Sequence, residues 1–101
     1  MDMVKKSVLE AIIKGAKRNF FDFGKKYINY KIGEYDISTA IYRPNDFKKD
    51  GFDGRYGMVL TLWDGLNEIV NIEISANDNE IIKNKKENEF IKETLAFLNK
   101  K

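Results

Sequence analysis

The chain has 101 residues, 43% of them hydrophobic and 34% charged, with a formal net charge of +2. That composition closes one core and predicts a single α+β domain over residues 1–101. Neither Cys nor His occurs, which excludes disulfides, Ser-His and Cys-His nucleophile pairs and the usual zinc sites.

Residues 4–23 predict an amphipathic helix. Leu9, Ile12, Ile13, Ala16, Phe20 and Phe23 recur at spacings of three and four, with Val4 and Val8 nearby. Lys14, Lys17, Arg18 and Lys25 fall on the other side. Gly24 is the expected stop, because Gly adopts a left-handed cap without strain.

Residues 27–32 and 35–42 alternate apolar and polar side chains. In the second run Tyr35, Ile37, Thr39 and Ile41 share one face. Gly33 and Glu34 separate the runs at two-residue hairpin spacing, and Gly in first place suits a type II′ turn. Arg43 to Arg55 reads as a loop, holding Pro44 and the turn-rich run from Asp50 to Gly54.

Residues 56–63 predict a third strand, with Met58, Leu60 and Leu62 on one face and Val59, Thr61 and Trp63 on the other. Asp64-Gly65 is expected to form a type I′ hairpin turn. A fourth strand over 66–75 points Val70, Ile72 and Ile74 inward and Asn71 and Glu73 outward. Ala76 to Asn79 is a turn. Residues 80–87 fit either a short strand or the start of a helix, and 88–99 are helical through Phe90, Ile91, Leu95 and Leu98. The expected architecture is α-β-β-β-β-α: a four-stranded antiparallel meander sheet flanked by an N-terminal and a C-terminal helix.

Charge is segregated along the chain. Residues 1–31 carry eight basic and three acidic groups, net +5; residues 32–82 carry four and ten, net −6; residues 83–101 carry six and three, net +3. The helices are basic and the sheet with its loops is acidic. An acidic sheet face steers association with a basic protein surface.

Few chemical motifs survive inspection. Asp46, Asp50 and Asp53 with Gly51 and Gly54 lack the ligand spacing of an EF-hand loop, and Lys48 and Lys49 oppose a cation there. Asp64 and Glu68 lie across a tight turn, a poor setting for paired acid–base work. No phosphate-cradling glycine loop and no cofactor motif occurs. The abundance of Lys, Asn and Ile is that of AT-rich genomes, and in kind the chain resembles small proteins of phages, plasmids and toxin–immunity loci.

The expectation is therefore a non-catalytic, cytoplasmic protein-binding module, an inhibitor or immunity-type protein without cofactor. It would occlude a basic, nucleic-acid-binding surface of a larger target, such as a nuclease toxin or a host defence complex. Its contact residues are expected to be Asp36, Asp50, Phe52, Asp53, Trp63, Asp64, Glu68 and Glu73. The alternative is a small nucleic-acid-binding protein using Lys14, Lys17, Arg18, Lys25 and Lys26, whose affinity would fall steeply with salt. An edge strand such as 27–32 could also pair with its own copy in a symmetric homodimer.

Overall fold

The computed structural model describes residues 3–43 and 55–100. Along the chain run α1 (Lys6–Phe23), β1 (Tyr27–Ile32), β2 (Tyr35–Tyr42), β3 (Gly57–Asp64), β4 (Asn67–Ile74) and α2 (Glu80–Leu98). The four strands form one antiparallel sheet in the order β1-β2-β3-β4, the meander expected from the alternation of apolar residues.

Helix α1 forms because its apolar residues fall on one stripe. Leu9, Ile13, Ala16 and Phe20 are buried. Phe23, placed on that stripe by spacing, is 77% exposed instead, because the helix ends there. Gly24 takes φ 70°, and the amides of Gly24 and Lys25 reach back to the Phe20 and Asn19 carbonyls. Lys25 thus lies beyond the helix, not on its polar side.

Both helices lie on one face of the sheet and share one core with it. Helix α1 packs over β1 and β2, and α2 over β4. Ile37, Ile41, Met58, Leu60, Leu62, Val70 and Ile74 rise from the sheet to meet Leu9, Ile13, Phe20, Phe90, Ile91 and Leu98. Each such aliphatic burial contributes about 1.5–3 kcal/mol. Among the described residues no helix lies above the opposite face.

The ambiguous stretch 80–87 is helical. Asn79 caps it by accepting the Ile82 amide at 2.9 Å, so the helix starts well before the Phe90 stripe. In this first part Ile81 is exposed while Lys83 is only 4% exposed. The Lys83 amine donates to the Tyr56 carbonyl at 3.1 Å and sits 4.0 Å from the Tyr56 ring centre. A buried cation survives because it is paired in this way.

The second hairpin differs from the expected one. Asp64 pairs with Asn67, so the two turn residues are Gly65 and Leu66. A type I′ turn needs positive φ at both central residues, yet Gly65 (φ 62°) alone has it. The turn is of the II′ kind, as at Gly33 (φ 63°) and Glu34. Placing the left-handed conformation on glycine alone spares Asp64 the strain. A register irregularity between Leu62 and Trp63 then sets Trp63 opposite Glu68.

The two ends of the described chain are tied together. The Val4 amide donates to the Asn99 side-chain oxygen at 2.8 Å, and the Asn99 side-chain nitrogen donates to the Val4 carbonyl at 3.0 Å. No helix among the described residues is long and apolar enough to cross a membrane.

A candidate protein-docking face on the open side of the sheet

Strand alternation fixes what the uncovered face presents. The paired register builds cross-strand rows: Lys31, Asp36, Trp63 and Glu68; then Asn29, Ser38, Thr61 and Asn71; then Tyr27, Ala40, Val59 and Glu73. Three of the expected contact residues, Asp36, Trp63 and Glu68, therefore stand side by side.

Trp63 lies on this open face and is half-buried. Its indole N–H donates to the Ser38 hydroxyl at 2.9 Å, which holds the ring over the second row. Ser38 and Thr61, at the centre of the second row, are buried. Asp36 accepts from the Asn29 amide at 3.0 Å and pairs with Lys31 at 3.6 Å. Glu68 accepts from the Asn71 amide at 3.1 Å. Neutral amides therefore orient both carboxylates flanking the indole, and among the described residues only Asp36 has a cation beside it.

Glu73 lies in the row with Val59, two rows from Glu68. Asp64 is exposed at the mouth of the second hairpin. Asp50, Phe52 and Asp53, with the cation-loop and turn readings of 43–55 that involve them, fall outside the described residues. Among the described residues no group of three or more acidic side chains could hold a metal ion.

The expected contact residues leave out several residues of this face. Leu66 is 97% exposed and, with Tyr27, Asn29, Asp36, Trp63 and Gly65, lines a hollow of about 270 Å³ beside the indole. Misplacing the turn by one residue had made Leu66 an ordinary strand residue. Tyr42 lies across Gly57, where an added Cβ would collide with the ring. Glycine there is what lets the phenol lie flat on the sheet. The signal was available, since Tyr42 and Gly57 bracket the 43–55 loop.

The basic residues are distributed differently. Lys17 pairs with Glu87 of α2 at 2.6 Å. Burial works against the Lys17 charge, but the Glu87 carboxylate outweighs it and the amine titrates above its ordinary value. Burial likewise pushes the neighbouring Tyr56 hydroxyl up, with Lys17 opposing and Glu87 and Glu80 reinforcing the shift. Lys14 and Lys17 line a groove of about 350 Å³ between the helices, shared with Glu10 and Glu87. Arg18 is exposed on α1, and Lys25 and Lys26 lie past its end.

Comparison with known proteins adds no relationship: no family model matches the chain, and neither curated proteins nor solved structures give a significant match.

Proposed function

We propose that this chain is a non-catalytic protein-binding module of inhibitor or immunity type. Its uncovered sheet face would occlude a basic, nucleic-acid-binding surface on a larger protein, such as a nuclease toxin or a defence complex. The observation that carries this reading is the row Asp36–Trp63–Glu68: an aromatic anchor pinned by a hydrogen bond, with an oriented carboxylate on each side and no helix above it among the described residues. Half-buried aromatics on open faces are characteristic binding anchors, and flanking charges of one sign select an oppositely charged partner. Leu66, Tyr27 and Tyr42 extend the apolar area around it.

The basic-helix alternative is less favoured, because Glu87 already neutralises Lys17 and Glu10 shares the groove with Lys14. The test is capture of partners by tagged protein, with and without nuclease, beside a Trp63→Ala/Glu68→Lys/Glu73→Lys variant. Retention of one protein partner through nuclease treatment, lost with the variant, supports the reading. A folded variant that captures that partner equally well refutes it, and capture of nucleic acid instead favours the basic residues. Trp63→Ala alone is expected to weaken the complex by about thirtyfold, equivalent to about 2 kcal/mol.

A further inference from the structure

Among the described residues the meander leaves two edge strands, β1 and β4, and they are unequally protected. On β4 the register irregularity near Trp63 disturbs the ladder, and Glu68 and Glu73 place like charges along the edge. Bulges and charges of this kind discourage pairing with another strand. Strand β1 has no such shift and a single charged residue, Lys31: its six residues keep one unbroken register with β2, from Tyr27 opposite Ala40 to Ile32 opposite Tyr35.

The hydrogen-bonding phase of β1 is fixed by one contact. The Ile41 amide bonds the Lys26 carbonyl at 2.9 Å, so Lys26, Ile28, Tyr30 and Ile32 direct their main-chain groups toward β2. In an antiparallel ladder the alternate residues face the other way. Tyr27, Asn29 and Lys31 therefore present their N–H and C=O groups to the free edge.

We propose that β1 pairs antiparallel with β1 of a second copy of this chain, about a two-fold axis at Asn29, giving a continuous eight-stranded sheet. This inference does not rest on the docking role of the open face, although Tyr27 borders both surfaces. In that register Tyr27 bonds the second copy's Lys31 and Asn29 bonds its own equivalent, making about six main-chain hydrogen bonds. The side chains match as well. On the open face each Lys31 amine meets the second copy's Tyr27 ring, a cation–π pairing, and Tyr27 is 59% exposed in the single chain. On the helix face Ile28 meets the second copy's Tyr30. Beyond the strand ends Lys25 falls opposite the second copy's Gly33, and Glu34 opposite its Gly24.

The helix layer is compatible with this arrangement. Gly15 faces β1, since a Cβ there would lie 3.6 Å from the Tyr30 hydroxyl. Val8, Ile12 and Asn19 share that side of α1 by helical spacing. Val8 is 44% exposed and Ile12 half-buried, so the flank of α1 on the β1 side keeps partly exposed apolar side chains around a glycine. The opposite flank, by contrast, carries the Lys17–Glu87 ion pair toward α2.

Tyr27 and Lys31 stand about 13 Å apart along one strand, so they pair only between copies. The experiment is sedimentation equilibrium at low salt, from about 1 μM to 1 mM, on four proteins. The native chain is expected to dimerise with a dissociation constant below about 100 μM. Asn29→Pro removes an N–H that faces away from β2, which edge strands tolerate, and should raise that constant at least about thirtyfold. Tyr27→Lys, which sets two cations opposite each other, should raise it about tenfold, whereas Tyr27→Glu, which faces the second copy's Lys31 with an opposite charge, should keep it within about threefold of the native value. A native chain still monomeric at the highest concentration overturns the proposal. So does a dimer indifferent to Asn29→Pro, or one weakened equally by Tyr27→Lys and Tyr27→Glu. Should Asn29→Pro not fold, the contrast between the two Tyr27 variants decides alone.

Discussion

The Trp63–Ser38 hydrogen bond is the feature that turns an aromatic side chain into a fixed anchor, and its strength can be isolated. Trp63→Phe deletes the indole N–H and strands the Ser38 hydroxyl, which is only 6% exposed. An unpaired buried hydroxyl costs about 1–2 kcal/mol, and the lost ring area on a half-buried residue adds about 0.5–1 kcal/mol. Ser38→Ala should cost less, about 0.5 kcal/mol, because the half-exposed indole can turn its N–H to water. If the two groups act through their 2.9 Å contact, the double variant will fall short of the sum by about 1 kcal/mol. Urea unfolding followed by far-UV circular dichroism measures all four corners of the cycle. The chain has one Trp, so the emission of Ser38→Ala independently reports whether the indole becomes wetter. Coupling below about 0.3 kcal/mol, with unchanged emission, would refute the view that Ser38 pins the anchor.

Two further predictions concern the helix layer. Asn99→Ala should cost about 1–2 kcal/mol and accelerate hydrogen exchange at the Val4 amide, whereas Asn99→Asp, which keeps the acceptor but not the donor, should cost about half as much. Alkaline pH should destabilise the protein through Lys17 and Tyr56. Both hold their protons more tightly in the native state than their ordinary values of 10.5 and 10.0. The stability they confer is therefore present below about pH 10 and lost as pH rises through the native values. Urea midpoints at about pH 9, 10 and 11 should fall in that order, with a shallower fall in Glu87→Gln; an identical slope in that variant would remove Glu87 as the cause.

Much of the architecture was legible because two periodicities dominate it. Leu9, Ile13, Ala16 and Phe20 follow the helical repeat, and Met58, Leu60 and Leu62 alternate against Val59 and Trp63 as a sheet with one covered face requires. Where reading failed, a local rule had a competitor. Asp64-Gly65 favours one turn type, but Gly65-Leu66 satisfies another with positive φ on glycine alone. At 80–87 the pattern is obscured because Ile81 is exposed while Lys83 is buried; only Asn79, a good N-cap residue, marked the start of the helix. At the candidate face, alternation put Trp63 and Val59 on one side, but only the register could set Trp63 between Asp36 and Glu68. Net charge by segment concealed that Lys17 is matched from across the fold, 70 residues away in sequence, by Glu87.

The paired amide bonds between Val4 and Asn99 also bear on how this architecture can be rewired. They bring the start of α1 and the finish of α2 into contact, so the path through the six elements is nearly a closed circuit. A short peptide joining those ends, with the chain opened instead at the solvated Gly65–Leu66 turn, yields a circular permutant that begins at β4 and ends at β3 while keeping every pairing of the sheet. In such a molecule the new ends would emerge beside the indole of Trp63, making that edge of the open face a natural place to append a second recognition element.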